Sequence, residues 1–172
     1  MEILDSDGIS WKKVGPFALP DGKFGAIEPA LFFDKEGNLR MVCRDRAKSI
    51  GGTGYIWQAI SRDGGVSWSP FVQTALPNPD SGIDVADLGE GRVMLFYNHS
   101  HVERRPLNFA ISRDGGDSWS EPYLLDEVGE FPSAIVASSG LVHVTYSRPL
   151  SDAPGAQRGT QYVAIDPKTF FD

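Results

Sequence analysis

The segment AISRDGGVSWS at residues 59 to 69 returns as AISRDGGDSWS at residues 110 to 120 with one letter changed. Two copies this alike, starting 51 residues apart, mean that the chain repeats a unit too small to bury its own apolar faces, so that copies must stack. Aligning the chain on the two copies exposes the rest of the unit. YIWQAIS at 55 to 61 and PLNFAIS at 106 to 112 lead into them; before these come LRMVCRD at 39 to 45 and RVMLFYN at 92 to 98, and first of all EPALFF at 28 to 33 and GIDVADL at 82 to 88. Each is a short run of β-branched and aromatic residues bounded by Gly, Asn, Asp or Pro, which reads as a strand. DKEGN at 34 to 38, GEG at 89 to 91 and SSG at 138 to 140 read as the tight turns of hairpins. FVQTAL at 71 to 76 and PYLLDE at 122 to 127 follow the copies as short fourth strands. Four antiparallel strands in such a unit form one blade of a β-propeller, so the predicted class is all-β.

The blades predicted in this way cover residues 26–77, 78–128 and, incompletely, 129–172 of a single domain 1–172. DSDGISWKK at 5 to 13 reads as a degenerate third copy, with Gly8 and Trp11 in register, and VGPFAL at 14 to 19 as the fourth strand after it. SAIVA, LVHVTYS and TQYVAID supply three strands at the other end. That inventory is three blades' worth, and a closed propeller has four to eight. Two completions stay open: the chain is half of a longer protein, or two copies pair as a homodimer, each lending its N-terminal strand to the other's last blade.

Within the repeat, Ser61, Asp63, Gly65 and Trp68, and again Ser112, Asp114, Gly116 and Trp119, fit the pattern S-x-D-x-G-x-x-W. A short carboxylate accepts hydrogen bonds from the backbone of its own turn, glycine supplies the positive φ that turn requires, and tryptophan covers the hairpin. These positions are therefore read as structural. The pattern and its place between third and fourth strands resemble the Asp-box or BNR-repeat six-bladed propellers of the sialidase (neuraminidase) superfamily, with this chain corresponding to the C-terminal half. In that family the boxes lie on the rim opposite the active site. The resemblance thus directs attention to Glu28, Arg44, Asp45, Asp84, Asn98, His99, Glu130, Phe131 and Arg148.

Sialidases, as the resemblance implies, hold a substrate carboxylate with three arginines, attack with a tyrosine activated by a glutamate, and protonate the leaving group with an aspartate. Guanidinium forks suit a carboxylate, and a phenol nucleophile avoids repulsion by an anionic sugar. Glu28 and Arg44 resemble the family's glutamate and second arginine in place and order, so the expected catalytic residues are Glu28 as base and Arg44 as clamp; the alternative is a plain salt bridge between them. Asn98 stands where a third arginine would close its strand, with Arg104 and Arg105 further along, and Phe131 stands where the tyrosine is expected. Expected substrate contacts are Arg44, Asp84 (equally readable as a turn residue), Asn98, Glu130 and Arg148, the last two as a pair. Tyr146 and Tyr162 read as core. The implied functions are a glycoside hydrolase acting on terminal sugars, with an altered catalytic set, or a non-catalytic glycan-binding or assembly module.

Charge and composition exclude other classes. A formal net charge of -7 without a basic stretch opposes nucleic acid and anionic membrane surfaces, and no run reaches the length of a membrane span. The start, MEILDSDG, lacks the features of a secretory signal, which predicts a soluble chain, cytoplasmic if complete. The single cysteine, Cys43, reads as a buried small hydrophobe. His99 and His101 lack companions at metal-ligand spacing, GGTG at 51 to 54 lacks the lysine of a phosphate loop and reads as a flexible loop, and no metal or cofactor is expected. A carbohydrate ligand is the expected partner.

Overall fold

The computed structural model describes residues 2–20, 25–46, 54–151, 153 and 155–171. Residues 51–53 of the GGTG segment lie outside these, while Gly54 leads directly into a strand. The chain forms a hairpin of β1 (Glu2–Leu4) and β2 (Trp11–Lys13), then a sheet of β3 (Ala26–Phe33), β4 (Leu39–Asp45), β5 (Tyr55–Ser61) and β6 (Val72–Pro77). A second sheet holds β7 (Asp84–Asp87), β8 (Val93–Asn98), β9 (Leu107–Ser112) and β10 (Tyr123–Asp126). A third holds β11 (Glu130–Val136), β12 (Val142–Pro149) and β13 (Arg158–Ile165), and a short helix α1 (Lys168–Phe171) follows. All neighbouring strands are antiparallel and sequential, the meander expected of propeller blades.

The N-terminal end departs from the reading of the sequence. Residues 14–19 form no strand. The end of the degenerate copy itself forms β2, which pairs with β1 before it, and this hairpin is not hydrogen-bonded to the third sheet. The physical reason lies in Phe17 and Leu19, whose side chains pack on Met41, Cys43, Ala59 and Phe71 of the first blade, with Phe17 edge-on to Trp68 at 6.1 Å and to Phe71 at 6.3 Å. Covering that apolar face offers more than a further ladder on an exposed hairpin. Cys43 lies there as a buried free thiol, its pKa pushed up to about 12 by burial.

Burial follows the stacking. Every residue of β8 and β9 is buried, because the second sheet has a neighbour on both faces; this is why VMLFYN reads as a continuous apolar run and not an alternation. One core joins Phe32, Val42 and Ile56 of the first blade to Val85, Leu95 and Tyr97 of the second. Another joins Met94, Phe96 and Phe109 to Val142, Val144 and Tyr146 of the third. Each large side chain so buried contributes about 1.5–3 kcal/mol.

Both S-x-D-x-G-x-x-W segments close the connection from third to fourth strand in the same way. Ser61 Oγ donates to Asp63 Oδ1 at 2.8 Å and accepts from the Gly65 N–H at 2.8 Å, while Asp63 accepts from the Ser67 N–H at 2.8 Å and its hydroxyl at 2.5 Å. Ser112, Asp114, Gly116 and Ser118 repeat the arrangement. Asp7 does so with Ser10 in the degenerate copy. Hydrogen bonds from the Ser67 hydroxyl and backbone and from Ser61 lower the Asp63 pKa from 3.8 to about 2. The second box also docks: a Cβ on Gly115 would stand 2.6 Å from Asp34 Cβ, and one on Gly116 2.8 Å from Phe32 Cζ. Arg40 of the first blade bridges Asp34 at 3.3 Å and Asp117 of the second box at 2.7 Å, and Trp119 meets Phe32 edge-on at 6.3 Å.

The two boxes differ in what surrounds their glycines. Gly64 and Gly115 share a positive φ, +71 and +74, but a Cβ on Gly64 meets nothing within 4 Å. Gly64→Ala should therefore cost about 1–2 kcal/mol for backbone alone, and Gly115→Ala should cost at least about 2 kcal/mol more by overpacking the blade junction, as read by urea denaturation. Because the folded Asp63 pKa lies below its unfolded value, the stabilisation it brings is complete above about pH 4 and is lost as pH falls through about 2. The carboxylate titration followed by NMR should show that midpoint, and Ser67→Ala should raise it.

Candidate functional site

At the rim opposite the boxes the three blades bring equivalent positions together. The ladders define them: Ala30 pairs with Val42, Asp84 with Phe96 and Ser133 with Thr145. Two residues before each first-strand member stand Glu28, Gly82 and Phe131. A Cβ on Gly82 would lie 3.0 Å from the Phe131 ring and 3.3 Å from Glu28 Oε2, so the three positions converge, with glycine making room for its two neighbours. Glu28 and Phe131 both take positive φ, 51° and 54°, at register shifts in β3 and β11. Bulges re-aim side chains at sheet ends, and a non-glycine residue in that region is held there by its surroundings. Each is followed by proline, Pro29 and Pro132, a shared signal that the sequence analysis passed over.

Arg44 closes β4 beside this group. Its Nη2 lies 2.9 Å from Glu28 Oε1 and its Nε 3.7 Å from Asp80 Oδ1, and it donates to the Asp80 carbonyl at 3.4 Å. The Arg44 and Asp80 side chains are 12% and 14% exposed, that of Glu28 49%. Glu28 thus has one oxygen engaged by a nearly buried guanidinium and half of its surface open to a ligand. Asp80, which the sequence did not single out, is the second carboxylate on Arg44. Arg104 reaches across from the loop after β8 and sits 5.2 Å over the Phe131 ring; nothing periodic in that loop announces the contact.

Other expected site residues lie elsewhere. Asn98 is fully buried; its amide donates to the Pro106 and Gly129 carbonyls at 3.0 and 2.9 Å and its oxygen accepts from Ser81 Oγ at 2.7 Å. No group of it remains for a sugar, and it fastens the second blade to the third. Asp84 does likewise, accepting from the Ala134 N–H at 2.8 Å. Glu130 pairs with Arg158 at 2.6 Å, not with Arg148, whose guanidinium turns to Asp126 at 3.4 Å. The register explains this: Ser147, opposite Glu130, occupies the place of Arg44, so Arg148 is one residue late and faces the other side of the sheet.

Asp45 is buried and accepts from the Gly54 N–H at 3.2 Å. Tyr146 belongs to the core and donates to Asp126 at 3.0 Å, but Tyr162 is 54% exposed and stacks on His143; it is a surface residue of the edge strand, which corrects its reading as core. His99 Nδ1 lies 2.6 Å from the Tyr97 hydroxyl and His101 Nδ1 3.0 Å from the Gly54 carbonyl. Among the described residues no group of His, Cys, Asp or Glu could hold a metal ion, and no helix is long and apolar enough to cross a membrane.

Arg44 serves two carboxylates of unequal burial, so the two ends of the cluster should differ in cost: Glu28→Gln should cost under about 1 kcal/mol, whereas Arg44→Met, which strands the mostly buried Asp80 carboxylate, should cost about 2–3 kcal/mol. Urea denaturation of the two variants checks the asymmetry.

Comparison with solved structures places the fold. The chain superposes on the K499G mutant of the NanB sialidase from Streptococcus pneumoniae with a TM-score of 0.75 at 18% identity, covering 97% of this chain and 27% of that one. The intramolecular trans-sialidase from Ruminococcus gnavus gives 0.68 at 18% identity over 95% of this chain and 37% of that one. The GH93 α-L-arabinofuranosidase of Fusarium graminearum gives 0.60 at 17% identity over 94% of this chain and 53% of that one. The chain therefore has a sialidase-like propeller fold and spans only about a quarter to a half of these relatives. No curated protein matches its sequence. Residues 1–144 match the BNR repeat-like domain family, and with most of its length so matched the chain belongs to that family.

Proposed function

We propose that this chain builds the sugar-binding face of a sialidase-like propeller, with the terminal unit of a glycan over Phe131 and hydrogen-bonded by Glu28 and Arg44. The observation that carries the reading is the convergence of Glu28 and Phe131 over the buried Gly82, with Arg44 held against Glu28. A sugar presents an apolar ring face and a rim of hydroxyls, and a half-exposed aromatic ring beside a carboxylate–guanidinium pair meets both. The glycan-acting relatives in their names support the ligand class. Closing the ring takes further blades, from a longer chain or from a second copy, and either leaves this face on the inside of the ring's mouth.

A second reading, hydrolysis of a terminal sugar, is favoured by one observation: Glu28 and Arg44 touch as a base and its neighbouring clamp would in the resemblance. Against it, the equivalent position of the third blade offers Phe131, which has neither a nucleophile nor a transferable proton. Glycan-array binding and a fluorogenic sialoside assay on the same preparation separate the two. Binding without turnover, lowered roughly tenfold by Phe131→Ala, supports the proposed function. Turnover that Glu28→Gln abolishes would replace it with the second.

A further inference from the structure

In a chain of net charge -7, four arginines gather at one end of the blade 2–blade 3 junction. Arg104, Arg105 and Arg158 line an open pocket of about 540 Å³ together with Val128, Glu130 and Pro149, and Arg148 stands next to it on β12, whose Pro149 pairs with Arg158. Three of the four are neutralised: Arg105 by Glu103 at 2.7 Å, Arg158 by Glu130 at 2.6 Å, and Arg148 by Asp126 at 3.4 Å. Arg104 has no carboxylate partner among the described residues. Its guanidinium carbon sits 5.2 Å from the centre of the Phe131 ring, within cation–π reach, while the ring stays 40% exposed, and a guanidinium held by a ring still has N–H donors for a planar anion.

Arg104, the one of these four without a carboxylate partner among the described residues, both lines the pocket and reaches Phe131, so it stands between the two. The pocket's volume lies within the range that accommodates small organic ligands, beyond the unit that would rest on Phe131 itself. Resting on the glycan-binding reading above, we infer that Arg104 and this pocket form a second subsite selecting an acidic sugar: the ligand is an oligosaccharide whose terminal unit lies over Phe131 and whose next unit places a carboxylate on the Arg104 fork. The surrounding ion pairs serve this by engaging the other three arginines of the group, so that among these four Arg104 is the one left to meet an anion.

The test is a titration calorimetry series on the full chain with trigalacturonate and a glucuronate–N-acetylglucosamine tetrasaccharide, each beside its carboxylate methyl ester. The expected result is a preference of roughly tenfold or more for at least one acid over its ester, as one charge-assisted bidentate contact supplies, shrinking as salt is raised. Arg104→Gln should remove the preference while leaving the ester's affinity within about twofold, and Arg104→Lys, which keeps charge but not the fork, should restore only part of it. Esters bound as tightly as acids by the wild type, or a preference that survives Arg104→Gln, would overturn this subsite and leave the glycan reading standing. No binding of acids or esters would overturn that reading, and the subsite with it.

Discussion

The corner of the first blade at Phe32 to Lys35 sits against the second blade's box, and the geometry of the molecule depends on that seat. Two glycines of the box leave no room for a Cβ against Asp34 and Phe32, and a third, Gly91, brings its own hairpin to Lys35 and the Gly115 N–H. Around this close steric fit stand Arg40 with Asp34 and Asp117, Trp119 on Phe32, and the Phe33 N–H on Asp87 at 2.8 Å. Hydrophobic burial between sheets is strong but tolerates sliding; a glycine-sized gap does not. The box aspartates shape the turn that creates the gap, and for this their carboxyl groups are fully engaged within it.

A joint fixed on one rim sets the convergence on the other. Neighbouring blades held at a constant angle bring equivalent residues of successive first strands toward one line, and Glu28, Gly82 and Phe131 meet there. Only one of the three can be small without leaving a void, and only with one small can the other two carry working side chains. The strained φ values of Glu28 and Phe131 are sustained by the same packing. With the blades fastened at the box rim and by Asn98 and Asp84 between the second and third, Glu28 and Phe131 can stay a half-exposed carboxylate and an exposed aromatic.

The blades were legible because their signal is local and repeated: turn glycines, apolar runs and an eleven-residue copy in register. Glu28 and Arg44 were legible because each closes a strand end in that pattern. What failed is instructive in the same terms. Residues 14–19 carry the composition of a strand, but Phe17 and Leu19 find an uncovered apolar face, a tertiary gain that no local propensity encodes. Arg148 was misplaced by one residue, and in a strand one residue exchanges faces. Asn98 was placed at the right position with the wrong use, since the sequence cannot show that Ser81, Pro106 and Gly129 surround it. Arg104 and Asp80 came from loops, where spacing carries no information about direction.

Arg44, Asn98 and Ser147 occupy one equivalent position in three blades, and their differences give the face its polarity. In the first blade the position holds a cation directed at Glu28 and Asp80; in the second, an amide consumed by backbone carbonyls; in the third, a short hydroxyl opposite Glu130. Charge available to a ligand therefore falls away from the first blade along these strand-end positions and returns in the loop after β8, at Arg104. A ligand with one polar end would be met by the first blade alone, but Phe131, which Gly82 brings close to Glu28, carries the second cation over its ring. Two cationic points separated by an aromatic platform match a molecule with hydrogen-bonding groups at both ends of an apolar ring face, which is the shape of a sugar linked to another.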